Sequence, residues 1–303
     1  PGMTANDSFK PVTKYFDRIT RPEQILQSLP QAIQTMLDPA DCGPACLSLC
    51  QDVQGETFEY PEEFFKERIH NIRRPKPDDF QIKQAVEKIK NSKNPIIISG
   101  GGVFYSDAME ELSNFAVKHN IPVTQTVMGY STMKRDHSHF VGPIGGLGGK
   151  AANNLAKETD LAICIGTKLA DFTTGSWANF ENPQFKLVSI NIARHDANKH
   201  LAEAVIGDAK VSLIELSNAL GDWRSSDSWH KKSQDELKSW NEYVDKESGP
   251  TNQDLPSYAH AVGAIYRNSD PTDIAVTAAG GLVGEVVQVW RPKELNTHET
   301  EWG

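Results

Sequence analysis

Pro95-Ile96-Ile97-Ile98-Ser99-Gly100-Gly101-Gly102 decides the fold of this chain. Four apolar residues in a row, three of them β-branched, suit a strand buried on both faces. The glycine triplet ends that strand. A helix follows, with Leu112, Phe115 and Ala116 on one face, and Asp107 with Glu110 reads as its capping box. Upstream, Ile82, Ala85, Val86 and Ile89 repeat at helical spacing. Downstream, apolar strand-sized runs recur at 122–127, 161–165 and 186–192. Strands alternating with helices predict an α/β fold with a doubly wound, parallel, Rossmann-like sheet over 80–220. Partial α/β domains flank this central domain.

Outward from that core, the organisation is coarser. Ile25, Leu26, Leu29, Ile33 and Leu37 predict a helix after a loop or tail of ten residues, and Ala45-Cys46-Leu47-Ser48-Leu49-Cys50 reads as a short buried strand. Residues 1–62 form one partial domain, and 63–79, carrying Pro75 and Pro77, a linker. A polar helical connector with Leu237, Trp240 and Val244 occupies 221–256. From 257 a last unit begins: a helix through Ala261, Val262 and Ile265, a strand at 273–277, a glycine turn, and a second helix.

Composition narrows the function. Hydrophobic residues make up 38% of the chain and charged residues 23%, so a sizeable core can form. A formal charge of −9 opposes nucleic acid and anionic membrane surfaces as partners. The longest apolar runs fall far short of a membrane span, and 1–10 lacks an apolar signal core, so a cytoplasmic address is expected. Cys42, Cys46, Cys50 and Cys164 make no disulfide framework and read as inert, buried thiols, since on a strand Cys42 cannot converge with its neighbours on a metal.

Three glycine turns compete as anion sites. Gly100-Gly101-Gly102 lacks the third glycine of the dinucleotide fingerprint, because Tyr105 stands in its place. Gly142 to Lys150 fails the phosphate-loop pattern at Ile144 and Ala151 and serves equally well as an interface loop. Ala278-Ala279-Gly280-Gly281-Leu282 joins a strand to a helix with residues small enough to let a diphosphate approach the backbone. No HExxH or GxSxG pattern occurs. Asp171, Asp196 and Asp208 sit where aspartate caps a helix or turn, and His137, His139, His195, His200 and His298 lie in polar surroundings that predict solvated rings.

Several stretches carry a family resemblance. Thr4-Ala5-Asn6-Asp7 and Tyr15-Phe16-Asp17-Arg18-Ile19-Thr20-Arg21-Pro22-Glu23-Gln24 closely resemble trihydroxycyclohexane-1,2-dione hydrolases near the end of their aminopyrimidine-binding domain. Ile165-Gly166-Thr167-Lys168, Asp171-Phe172 and Ile190-Asn191-Ile192 resemble the central domain, and Ala279-Gly280-Gly281-Leu282, Trp290 and Glu301-Trp302-Gly303 the start of the diphosphate-binding domain. The resemblance implies a thiamine-diphosphate- and magnesium-dependent enzyme of inositol breakdown. Its substrate is a small cyclic dione opened to 5-deoxy-glucuronate, and its complete form is a homo-oligomer. It also implies that Ala279, Gly280, Gly281 and Leu282 line the diphosphate, with Glu301 and Gly303 near the thiazolium. No catalytic residue is assigned within the chain, because the family's activating glutamate would precede Pro1. No metal ligand is assigned either, because the family's Gly-Asp-Gly segment would follow Gly303. Gly207-Asp208 continues as Ala209-Lys210, and Val283 stands where the family has proline. The expectation is a fragment lacking both ends, inactive alone and not retaining the coenzyme. The alternatives are an acetolactate-synthase-like enzyme and a non-catalytic nucleotide-binding or assembly module.

Overall fold

Thr4 and Asp7 open the chain with a reciprocal cap in the computed structural model, which describes residues 4–301. The Thr4 amide donates to the Asp7 carboxylate at 3.1 Å. This holds one helical turn, α1 (Ala5–Phe9), where the sequence reads as a loop or tail. The chain divides into two compact units, Pro1–Arg74 and Pro75–Gly303.

In the first unit, β1 (Tyr15–Ile19), α2 (Ile25–Leu37) and β2 (Ala45–Leu49) form a βαβ motif, with β1 and β2 parallel from Tyr15↔Ala45 to Ile19↔Leu49. The Gln24 side chain makes the strand-to-helix turn by accepting the Thr20 amide at 2.6 Å and the Arg21 amide at 2.9 Å. The Ser28 hydroxyl donates to the Asp17 carboxylate, tying helix to strand. One helix over two strands leaves much of the sheet uncovered. Cys46 and Cys50 are therefore half-buried and Cys42 exposed, against the expectation of buried thiols; only Cys164 is buried.

The second unit begins with α3 (Asp79–Lys90), β3 (Pro95–Ser99), α4 (Gly101–Tyr105), α5 (Met109–His119) and β4 (Val123–Gln125). It continues through β5 (Phe140–Pro143), α6 (Lys150–Glu158), β6 (Leu161–Ile165), α7 (Asp171–Thr174), β7 (Lys186–Asn191), α8 (Arg194–Ala197), β8 (Glu203–Ile206) and α9 (Ala209–Leu220). Six parallel strands stand in the order β5-β4-β3-β6-β7-β8. This is the doubly wound arrangement in which the chain steps outward one way from β3, then returns to its other side.

All of β3 is buried. Ile97 packs on one face with Ile163, Val188 and the helices α3, α5 and α9, while Ile96 and Ile98 pack on the other with Cys164, α6 and Trp229. Burying each such isoleucine is worth roughly 1.5–3 kcal/mol. Burial also pushes the Cys164 thiol well above its ordinary pKa. Asp160 pins the sheet's lower edge by accepting the amides of Lys93 and Asn94 at 2.8 and 3.0 Å.

Beyond the sheet come α10 (Asp227–Glu247), α11 (Tyr258–Asn268), β9 (Ala275–Ala278), α12 (Gly281–Val289) and β10 (His298–Glu301). The Ser226 hydroxyl caps α10, and the Trp229 indole donates to the Pro95 carbonyl at 2.8 Å, so α10 is fastened to the start of β3. β9 and β10 pair in parallel. Two expectations are corrected here. Asp107 has φ of +51° and α5 starts after Ala108 without a side-chain cap, so the Asp107–Glu110 capping box does not form. Strands β1, β5, β8 and β10 occur where no strand is read from the sequence.

Burial holds several imidazoles neutral. His119, between the Trp223 carbonyl at 2.7 Å and the Ser217 hydroxyl at 3.1 Å, has its pKa lowered by desolvation. His139 and His298 are pushed down to about 4, chiefly by burial and, for His139, also by His230 and His137. The unfolded chain takes up these protons near pH 6.5, the folded chain only near 4. The stability they contribute is therefore complete above 6.5 and lost as pH falls toward 4, by a few kcal/mol in total. The urea midpoint should drop between about pH 7 and about pH 5, less so in His298→Phe, and an unchanged midpoint would contradict this linkage.

Candidate functional site

Three glycine turns reach the carboxyl ends of strands, and their surroundings separate them. In a doubly wound sheet the crevice between β3 and β6 is the ordinary ligand seat. Here backbone fills it. The Gly100 amide donates to the Ile165 carbonyl at 2.8 Å, and the Gly102 amide to the Gly166 carbonyl at 2.9 Å. A Cβ on Gly100 would stand 2.4 Å from the Gly166 carbonyl oxygen, and one on Gly102 2.6 Å from the Gly166 Cα. The triplet lets two chain segments touch, which is the packing role glycine also serves, and leaves no room for a phosphate between them.

The loop after β5 is closed in a different way. Its amides already have acceptors: Gly145 donates to the Asn153 side chain at 2.9 Å, Gly146 to the Phe172 carbonyl at 2.7 Å, and Gly149 to the Pro143 carbonyl at 2.8 Å. Leu147 packs on Val283 and Val287 of α12. The loop therefore holds α12 against the sheet, the interface role that the sequence leaves open.

The turn between β9 and α12 is open. A Cβ on Gly280 or Gly281 would meet nothing within 4 Å. Gly280 has φ of +138°, a conformation that favours glycine, and it provides no side-chain cap for α12. The first amides of α12 have no acceptor inside the helix and carry the positive end of its dipole. Ala279, Gly280, Gly281 and Leu282 are all exposed. Glu301 pairs with Ala278 across the β9–β10 ladder, so the backbone brings it beside this turn. Gly303 lies outside the described residues. The turn thus fits an anionic group approaching the backbone, while among the described residues no three His, Cys, Asp or Glu side chains gather to hold a metal.

The other candidates are structural. Asp208 caps α9 by accepting the amides of Lys210 and Val211 at 3.1 and 3.3 Å, and also accepts the Ser106 hydroxyl at 2.7 Å. Asp196 pairs with Lys199 at 2.6 Å, and Asp171 opens the short α7. His195 and His200 are exposed as expected. His139 and His298 are not: His139 stacks on His230 at 4.2 Å between ring centroids, and the His298 ring stands edge-on to Tyr130 at 5.1 Å. Polar neighbours in sequence misled here, because the fold carries both rings under other elements.

Residues 82–216, from within α3 to within α9, match the sequence family described as thiamine pyrophosphate enzyme, central domain. The chain as a whole is similar to proteins named 3D-(3,5/4)-trihydroxycyclohexane-1,2-dione hydrolase. It is 38% identical to that of Clostridium perfringens (strain 13 / Type A) over 100% of this chain and 51% of the relative. It is 38% identical to that of Clostridium botulinum (strain Alaska E43 / Type E3), over 100% and 50%. With the Bacillus anthracis (strain CDC 684 / NRRL 3495) relative the identity is 37%, over 99% and 50%. The chain spans about half the length of the curated relatives it matches. Among the described residues no helix is long and apolar enough to cross a membrane.

Alanine separates the closed turn from the open one. Gly102→Ala should cost about 1–3 kcal/mol of unfolding free energy, because the new methyl group meets backbone that cannot yield. Gly281→Ala should change it by less than about 0.5 kcal/mol. Equal losses in urea denaturation would contradict the contrast.

Proposed function

We propose that the chain is a section of a thiamine-diphosphate-dependent hydrolase that opens the ring of 3D-(3,5/4)-trihydroxycyclohexane-1,2-dione, with the turn from Ala278 to Leu282 as the diphosphate seat. The observation that carries the reading is the open Gly280–Gly281 turn, set at the carboxyl end of β9 and the amino end of α12. Similarity over the whole of this chain to about half the length of relatives of that name supports the substrate class.

Thiamine diphosphate, when bound, supplies the electron sink for carbon–carbon cleavage. The residues of this chain hold and orient. Gly280, at a φ of +138°, opens α12, whose first amides have no acceptor within the helix and can donate to phosphoryl oxygens. Gly281 keeps the approach free of side-chain atoms. Leu282 presents apolar surface beside the turn, and the backbone at Glu301 pairs with Ala278 across the neighbouring ladder. Val286, Val287 and Val289 anchor α12 beneath, so the amides are fixed before any ligand arrives.

Magnesium accompanies the diphosphate in this proposal, and its ligands come from outside the described residues. The chain by itself does not retain the coenzyme and opens no dione. A complete homo-oligomer in the cytoplasm does both.

A graft tests the reading. Placed in the matching half of the Clostridium perfringens relative, the chain should support dione opening. Gly281→Asp in that graft should raise the coenzyme concentration needed for half activity at least about tenfold, by setting a carboxylate against the diphosphate. A graft that binds thiamine diphosphate yet opens no dione, and condenses pyruvate instead, would contradict the proposed substrate.

A further inference from the structure

The chain carries 40 acidic and 31 basic residues, yet one cavity of about 550 Å³ collects three arginines. Arg135 comes from the loop before β5, Arg267 from α11, and Arg291 from the segment after α12. Among the described residues, the carboxylates lining this cavity are Asp136 and Asp245. Nothing in the sequence brings the three together; the packing of α10, α11 and α12 does.

Tyr266 organises the cluster. The guanidinium carbons of Arg135 and Arg291 each lie 5.7 Å from its ring centroid, and the Lys293 ammonium lies 4.7 Å from it. The Tyr266 hydroxyl accepts from Arg135 and donates to the Arg291 carbonyl at 2.9 Å. Three cations around one buried ring repel one another unless anions intervene. Among the described residues only Arg291 has an ion-pair partner in the cavity, Asp245 at 2.5 Å, and that carboxylate is largely exposed. Arg267 donates to the Ser248 carbonyl at 2.5 Å, a neutral acceptor, as is the hydroxyl that Arg135 reaches. Each guanidinium has five N–H donors, so both keep several in hand. The Arg291 Nε is buried and has no acceptor.

We infer that this cavity binds a small molecule through a multiply charged oxyanion, phosphoryl or carboxylate. Planar guanidinium forks match both groups in two-point contact. The cavity is large enough for more than the anion alone, and none of its lining residues belongs to the turn at 278–282, so the two sites are separate. An oxyanion held by all three arginines would bind the corner where α10, α11 and the segment after α12 meet.

The test is calorimetric titration of the chain with pyrophosphate and with citrate, at an ionic strength held constant with sodium chloride. Saturable binding of either is expected, the tighter of the two identifying the preferred group, with affinity at least about tenfold lower in Arg135→Gln and in Arg267→Gln. Both side chains are exposed, and melting in chloride alone verifies that each variant folds. Arg267→Lys should fall between wild type and Arg267→Gln, since it keeps the charge and loses the fork. No saturable heat from either anion up to about 10 mM, or binding undiminished in both glutamine variants, would overturn the inference.

Discussion

Contact between backbones at the top of the sheet, Gly100 and Gly102 against Gly166, is the constraint on which the rest of the second unit depends. It lies between β3 and β6, where the strand order reverses. In many doubly wound sheets that crevice is held open for a ligand. Here it is closed by two direct amide-to-carbonyl bonds. The closure lets β3 remain buried throughout. It also lets Ile96, Ile97 and Ile98 divide their side chains between two cores that share one strand.

With the crevice shut, the sheet serves as a foundation. α10 crosses from one region to the next, fixed at its start by Trp229 on the Pro95 carbonyl and further along by Trp240, whose indole lies where a Cβ on Gly149 would fall. Its far end meets α11 and α12 through Val244, Val262, Val286 and Trp290. Leu147 adds a second brace from the loop after β5. The central glycines thus close up the sheet, while the glycines after β9 are left clear at its periphery. One residue type does opposite work in the two places because its neighbours differ.

Much of this was legible in the sequence, and for physical reasons. A strand buried on both faces is mostly apolar, so β3, β6 and β7 read as apolar runs, with Ser99 closing β3 and Ser189 and Asn191 the buried polar positions of β7. The helices α2, α3 and α5 face a core on one side and show helical spacing. Strands β1, β5, β8 and β10 escaped notice: β1 carries Asp17 and Arg18, β5 contains Gly142 and Pro143, β8 is a four-residue edge strand, and β10 carries His298, Glu299 and Thr300. At the candidate site, the turn between β9 and α12 was readable as a turn because small residues between strand and helix are local. Neither the fates of the other two glycine turns nor the arginine cluster could be read. Gly166 meets Gly102, and Arg135 meets Tyr266, only after more than sixty residues of intervening chain have folded.

The central claim is that the anion-accepting turn lies after β9 and not at the glycines of the sheet. Amide chemical shifts, followed by nuclear magnetic resonance while thiamine diphosphate and magnesium are added to the chain, test it most directly. The account predicts shifts at Gly280, Gly281, Leu282 and Val283 that remain unsaturated at about 1 mM coenzyme, a ceiling equal to about 4 kcal/mol of binding. Shifts centred instead on Gly100 to Gly102, or on Gly145 to Gly149, would contradict it.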